Sequence, residues 1–554
     1  LLYIYAILFW NHSDLGFSPD LIRENDGFMS KRYSISQIRV SCEYSEQDVI
    51  TGIHRSSAIP KKCILNPHVR RRSIDARRGI SYVLTVDFDI PRSYTGPRRN
   101  VRECTVSEPL SIPRIHSSCP RPLIVGAGPA GLAAAYILSR AGLCPRILER
   151  GSEVKQRVQD VQEFWESGVL KKESNMLYGE GGAGLFSDGK LTARNKNKGA
   201  VQAFMNMLVD AGAPESIRID AHPHIGSDRL IPLVSKLRKA IENAGGEFLF
   251  NTSLRDIATQ NGRVVEAITD TGSFEAEKIL LCTGHSARDV YEMLHGRSVA
   301  LQPKGFAMGV RVELHQQRVN TAMYGMKNPS VGAAEFRQSR SVGNDSLRVY
   351  SFCMCPGGRV VSCASSPGML TTNGMSYSKR DLSRANAAFL VPVSPQDFSG
   401  EGGEMSPLAG IEYQKIWEKK AFEAGGQRYS LPASTLADFL SGSTPRSLPN
   451  DTSAFACTPA DITPLLPAYI VRALKEALPP LMRRLGEKDF SQIVVYGVET
   501  RSSSPVQIVR GKDRQSISHK NLYPVGEGAG YAGGIVSSGV DGIKTALEIV
   551  REYE

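Results

Sequence analysis

The chain has 554 residues, of which 41% are hydrophobic and 22% charged, and a formal net charge of +11. This is the composition of a folded globular protein; it excludes a disordered or collagen-like chain, and no apolar run approaches the about 18–20 residues of a membrane-spanning helix. The length exceeds one ordinary core and predicts about two to four domains.

Residues 1–33 open with the apolar run LLYIYAILFW but lack an initiating Met, a basic leader segment and a small-residue cleavage site. They are read as a leader of uncertain role, with Met29 as an alternative start. Residues 34–97 read as a small α+β domain: the strand ISQIRVSCEY, the acid-started helix SEQDVITGIHRSSA, and two strands around a basic turn in HVRRRSIDARRGISYVLTVDFDI. Much of the positive charge lies between residues 61 and 99, in Lys61-Lys62, Arg70-Arg71-Arg72, Arg77-Arg78 and Arg98-Arg99. Such runs are most often a solvated face; a nucleic-acid surface, an anionic membrane surface or an organellar leader are the other readings. Residues 98–120, rich in Pro, Ser and Arg, read as a linker.

The stretch Arg121–Gly151 has the pattern of a β-α-β unit. A short apolar strand, Leu123–Val125, enters the turn Gly126-Ala127-Gly128-Pro129-Ala130-Gly131; a small-residue helix follows, and a second strand ends at Glu149-Arg150. Gly126 suits the tight turn, Gly128 a close approach of backbone to a pyrophosphate, and Gly131 close helix–strand packing. The diphosphate would sit on the helix N-terminus, and Glu149 would accept bonds from ribose hydroxyls. An acid at this position disfavours a 2′-phosphate and leaves FAD or NAD.

A helical stretch, Val154–Ser174, precedes a second glycine-rich loop, Gly179–Lys190, whose Gly182 and Gly184 are expected to cover the cofactor. His222 and His224 read as loop residues beside a helix spanning Arg229–Ala244. A hairpin turning at Asn261-Gly262 and a strand ending at Cys282-Thr283-Gly284 complete the first part of the cofactor domain, 121–300. Residues 301–487 change pattern to strands mixed with polar loops and a helix over Pro464–Leu478, and read as an inserted α+β domain on the substrate side. Within it, Cys353 and Cys355 at i and i+2 on a strand share a face and read as a redox pair, a substrate-facing thiol set or small buried residues. The return segment, 488–554, carries ETRSSSP and then a strand, the turn Gly526-Glu527-Gly528, and a helix entered through Gly533-Gly534-Ile535. Glu527 suits a ribityl hydroxyl, and the N-terminus of that helix suits the flavin's pyrimidine edge.

Ten cysteines occur without a CxxC pair or a zinc-type spacing, so no metal site or secreted disulfide framework is expected, and a reducing compartment, cytoplasm or an organelle such as a mitochondrion or plastid, is.

GAGPAGL…ILERG, ILLCTG and YPVGEGAG, in that order, resemble the FAD-binding domain of the glutathione-reductase-like flavoprotein superfamily, with Cys282 where Ala is usual and Glu527 where Asp is usual. More narrowly, GEGGAGLFSDGKL, HIGSD, FCMCPGG, TNGMS, ETRSSSP and GEGAGYAGGI resemble a family of FAD-dependent dehydrogenases of bacteria and eukaryotic organelles. The resemblance implies an α/β fold: a Rossmann-like FAD-binding domain, an inserted α+β substrate domain and a small N-terminal α+β domain. It also implies an FAD cofactor, taken to be held non-covalently, with NADH or NADPH a candidate electron donor. The second nucleotide-binding unit and the CxxxxC disulfide of glutathione reductases are missing. The expected activity is hydride transfer between FAD and a small organic substrate. Candidate substrate-side residues are Arg501 as an anion clamp, His285 as a proton shuttle, Ser503, Cys353 and Cys355. An RNA-binding flavoprotein of tRNA-modification type and a FAD-bound scaffold without turnover are the alternatives; the first is disfavoured because no RNP-like aromatic motif appears.

Overall fold

In the computed structural model of the protein, the described residues are 30–105, 110–116, 119–192, 197–327, 329–343, 347–399 and 405–554. The apolar leader and Met29 lie outside them. The chain forms two compact units, one from the described residues of Leu1–Asp75 and Ile80–Ser107, the other from those of Ala76–Gly79 and Glu108–Glu554.

The first unit is a four-stranded antiparallel sheet in the order Leu65–Asp75, Ser81–Pro91, Ser30–Val40, Val101–Glu103. Leu84, Val86, Phe88 and Ile90 alternate along one strand, as a one-faced sheet requires, and are buried with Val49 and Ile53 of the helix Glu46–Ser57. A capping box between Ser45 and Asp48 starts that helix. Val101–Glu103 corrects the expected linker: it is an edge strand paired with Tyr33–Ile35.

The second unit contains a parallel sheet in the order Leu522–Pro524, Ile279–Leu281, Leu123–Val125, Arg146–Leu148, Glu247–Leu249. Ile124, Ile147 and Leu280 point to a layer of helices that includes Pro129–Arg140, Ser227–Asn243 and Ile535–Glu552. Leu123, Val125, Leu148, Ile279 and Leu281 point to the opposite layer, with the three-stranded sheet of Leu254–Gln260, Arg263–Thr269 and Ser273–Glu275. Apolar residues on both faces are what a parallel sheet covered on two sides demands. This is a mixed α/β, Rossmann-like arrangement.

Between Ile279–Leu281 and Leu522–Pro524 the chain builds a seven-stranded sheet in the order Ser339–Val342, Leu347–Cys355, Arg384–Val393, Phe306–His315, Val494–Glu499, Leu431–Thr435, Cys457–Pro459. Val310, Val312, Phe389 and Val391 bury one of its faces together with Leu474 and Leu478 of the helix Ala468–Arg484. Val494–Glu499 belongs here, paired with Phe306–His315 and Leu431–Thr435, so the return to the parallel sheet begins later than residue 488. Among the described residues no helix is long and apolar enough to cross a membrane.

Candidate functional site

The dinucleotide turn is shaped by steric necessity. Gly126 has φ +106°, and a Cβ there would lie 2.5 Å from the Cys282 carbonyl oxygen of the neighbouring strand. A Cβ at Gly131 would lie 1.9 Å from the Gly126 carbonyl oxygen, so helix and turn touch through backbone. The helix Pro129–Arg140 begins at Gly128 with no side-chain cap and no acid in its first turn, which leaves N–H groups for an anion. Pro129 and Ala130 form that first turn, and Ala130 packs under Gly526 of the C-terminal turn.

Glu149 is buried beside the turn. Its carboxylate accepts from the backbone N–H groups of Ala127 at 2.8 Å, Gly151 at 2.9 Å and Gly179 at 2.9 Å. A carboxylate offers about four acceptor positions, so an oriented lone pair remains for a ribose hydroxyl. Arg150, expected beside the cofactor, pairs with Glu173 and Asp289 and stacks on Tyr178 at 4.4 Å.

The second glycine loop lies on the first. Gly181 N–H donates to the Ala127 carbonyl at 2.9 Å, and a Cβ at Gly182 would stand 3.0 Å from the Gly128 Cα. A Cβ at Gly184 would meet Ile535 at 2.9 Å, where the C-terminal helix starts. Sequence reasoning missed what holds this loop. Arg157 is fully buried and gives five hydrogen bonds, to the carbonyls of Asn175, Met176, Gly179, Glu180 and Gly182. Burial pushes its guanidinium down to about 10, partly offset by Glu149 and Glu180. Glu180, also buried, accepts from the Val154 N–H at 2.7 Å and from Arg238 at 2.8 Å. Replacing Arg157 by Lys keeps the charge but not the planar fork. With about three donors instead of five, a loss of about 1–3 kcal/mol is expected in the loop, seen as roughly tenfold weaker FAD retention in a flavin-fluorescence titration.

The third motif closes the site. A Cβ at Gly528 would lie 2.5 Å from the Gly284 carbonyl oxygen, which places Thr283 and Gly284 against the turn bearing Glu527. Glu527 accepts from Gly534 N–H at 3.4 Å, and His285 Nε2 lies 3.9 Å from it. The helix Ile535–Glu552 begins at Gly534 with no side-chain cap and no acid in its first turn. A Cβ at Gly284, Gly533 or Gly534 would meet nothing within 4 Å, so open space lies before these backbones.

Of the substrate-side candidates, His285 and Arg501 come together, Ser503 lies two residues beyond Arg501, and the cysteines lie on the seven-stranded sheet. His285 Nε2 donates to the Arg501 carbonyl at 3.1 Å and its Nδ1 faces the Ser286 hydroxyl at 2.9 Å. Burial lowers its pKa, so the ring is neutral at pH 7. Arg501, expected to clamp an anion, is committed to Glu418 at 2.9 and 2.8 Å and to the Ser365 hydroxyl at 2.7 Å. Arg288 shares the same carboxylate at 2.9 and 2.8 Å. Ser503 is half-buried in the loop that Tyr291 ties to the Gly528 carbonyl through Ser504. The i, i+2 geometry expected of Cys353 and Cys355 is replaced by a bulge: the register shifts between Phe352 and Cys355, and Cys353 has φ +42°. None of the ten cysteines is in a disulfide, and among the described residues no group of three or more His, Cys, Asp or Glu could hold a metal.

FAD fits this arrangement, with two uncapped helix N-termini, glycine backbones bordering open space, and a buried carboxylate beside the turn. Two family models agree. Residues 305–502 match the family described as FAD-dependent protein, C-terminal domain-like; residues 124–168 match the NAD(P)-binding Rossmann-like domain; residues 32–89 match a domain of unknown function. Among solved structures, a halogenase mutant in complex with FAD has a TM-score of 0.36 at 9% identity, covering 79% of this chain and 69% of that one. Glycine oxidase from Bacillus cereus has a TM-score of 0.29 at 12% identity, covering 79% of this chain and 96% of that one. An uncharacterized protein of Clostridium beijerinckii is 39% identical over 534 residues, 94% of this chain and 99% of that one. A likeness of that extent places the chain in one family with the Clostridium beijerinckii protein, and within this chain residues 305–502 carry the FAD-dependent C-terminal domain.

Proposed function

We propose that the protein is an oxidoreductase that moves a hydride between non-covalently held FAD and a small organic substrate. The observation that carries this reading is a pair of uncapped helix N-termini, those of Pro129–Arg140 and Ile535–Glu552, bridged by the second glycine loop, whose Gly182 lies against Gly128 and Gly184 against Ile535. The first favours the pyrophosphate; the second favours the negative charge that reduced flavin carries at its pyrimidine edge. When bound, FAD supplies the two-electron chemistry. The chain's residues supply the rest. Glu149 orients the adenosine ribose, Glu527 the ribityl chain, and the loop held by Arg157 keeps water from one side. On the substrate side, His285 is a neutral ring oriented by Arg501's carbonyl at Nε2 and the Ser286 hydroxyl at Nδ1, and Nδ1 is the atom through which it would move a proton. Ser503 offers a hydroxyl with no hydrogen bond among the described residues. Substrate carbon and flavin must approach to about 3–3.5 Å for transfer.

The test is an anaerobic titration of the purified protein with NADH or NADPH, followed by its flavin absorbance. Bleaching by one of the two is expected and names the donor. A flavin that no nicotinamide, small-molecule donor or protein partner reduces would leave a bound cofactor without turnover and overturn the oxidoreductase reading.

A further inference from the structure

The Cys353–Cys355 bulge is built like a reactive site. In a regular strand, residues i and i+2 stand about 6.6 Å apart, near the upper limit of Cα separation for a disulfide. Here the positive φ at Cys353 and the register shift before Cys355 break that geometry and fold the chain back on itself between the two residues. The Cys355 thiol lies 3.4 Å from the Cys353 carbonyl oxygen. Cys355 is buried and Cys353 half-buried.

Two cations flank the pair. Arg311, fully buried between Glu499 and Asn386, reaches the Cys353 carbonyl at 3.3 Å. Lys190, from the end of the second glycine loop, donates to the Met354 carbonyl. Room for the inner sulfur depends on a glycine: a Cβ at Gly374 would stand 2.9 Å from the Cys355 Sγ. The neighbouring Cys355 side chain, with Arg311 and Lys190 nearby, brings Cys353 down to about 7, whereas burial pushes Cys363 up to about 12. A half-buried cysteine in a positive environment, with a second, buried cysteine beside it, has the features of an attacking cysteine and its resolving partner.

We propose that Cys353 and Cys355 form a redox-active dithiol that exchanges with low-molecular-weight disulfides. The Cys353 thiolate attacks one sulfur of R–S–S–R, forming a mixed disulfide and releasing the other half as thiolate. The Cys355 sulfur, giving up its proton, then displaces the second thiolate and closes the Cys353–Cys355 disulfide. The two protons from the dithiol end on the two released thiols, and two electrons pass from protein to disulfide. The exchange requires no flavin, so it stands or falls separately from the function proposed above.

The test uses the reduced full-length protein, freed of reductant under nitrogen and exposed to glutathione disulfide at pH 7. After acid quenching, intact mass and peptide mapping give the products. The wild type should lose two hydrogens and yield a Cys353–Cys355 disulfide peptide. Cys355→Ser should hold one glutathione on Cys353, and Cys353→Ser should leave Cys355 unmodified. Alkylation of Cys353 by iodoacetamide in the wild type should have a midpoint near pH 7, against about 8.5 for an ordinary thiol. A wild type in which Cys353 alkylates with the ordinary midpoint and forms neither product would overturn the proposal, as would a Cys353→Ser protein that takes up glutathione at Cys355 as fast as the wild type forms its disulfide.

Discussion

Gly131→Ala should produce a protein that is purified without its flavin. The added methyl would stand 1.9 Å from the Gly126 carbonyl oxygen and 3.3 Å from the Ile124 side chain. The helix Pro129–Arg140 cannot retreat from that contact. On its other side a Cβ at Gly542 of the C-terminal helix would lie 2.1 Å from the Ala130 carbonyl oxygen, so the two helices also meet backbone to backbone. The turn itself must move, and with it the N–H groups at the helix start. Overpacking of this kind costs about 1–3 kcal/mol, or roughly 5- to 150-fold in FAD affinity if it falls on the bound state. Flavin content after gel filtration and a fluorescence titration with added FAD measure it. Gly296→Ala, an exposed position whose Cβ meets nothing within 4 Å, is the control and should bind as the wild type does. Full flavin occupancy in Gly131→Ala would mean that this turn is not the cradle.

The dinucleotide turn was legible because each of its demands is local. Within about thirty residues a strand, a tight turn and a helix must be joined, and only glycine meets the contacts at 126 and 131. The second glycine loop was legible as a packed segment for a similar reason, since Leu185 and Phe186 inside it are buried. Its anchor was not. Arg157 looks like a solvent residue until its position is compared with its neighbours: Val154, Arg157, Val161 and Phe164 are all buried on one stripe of the helix. Glu418 shows the same signature among Ile411, Gln414 and Ala421. A charge standing on an apolar stripe was the available signal, and the usual exposure of charged side chains hid it.

What stayed out of reach was pairing between distant segments. VVYGVE is apolar on both faces and could enter either sheet; its place beside Phe306–His315 depends on contacts nearly two hundred positions away. The bulge at Cys353 likewise follows from register against Arg384–Val393, not from the local alternation that predicts a common face for the two thiols. Arg501 shows the same limit at the site. Beside ETRSSSP it is a plausible anion clamp, yet its guanidinium is taken by a glutamate 83 positions earlier in the chain.

That glutamate carries the second large effect. Glu418 is fully buried, binds Arg288 and Arg501 through both oxygens, and accepts from the Thr500 hydroxyl at 2.9 Å. Glu418→Gln would leave two buried guanidiniums facing each other without an anion. Removing one partner of such a cluster costs about 3–5 kcal/mol, a fall of roughly 5–10 °C in Tm for a unit of this size. The effect depends on pH in a definite direction. Burial alone would raise the Glu418 carboxyl, but Arg288 and Arg501 outweigh it and hold its pKa well below the usual carboxylate range. A depressed folded-state pKa gives stability that is present above the unfolded value of about 4.3 and is lost as pH falls toward the folded one. The gap in Tm between wild type and Glu418→Gln should therefore be widest from pH 5 upward and narrow as pH is lowered below about 4. Because Arg501 also supplies the carbonyl that holds His285, the variant should loosen the loop beside the cofactor as well, with weaker FAD retention at pH 7. Equal Tm values at neutral pH would show that the cluster is held by its packing and not by its charges.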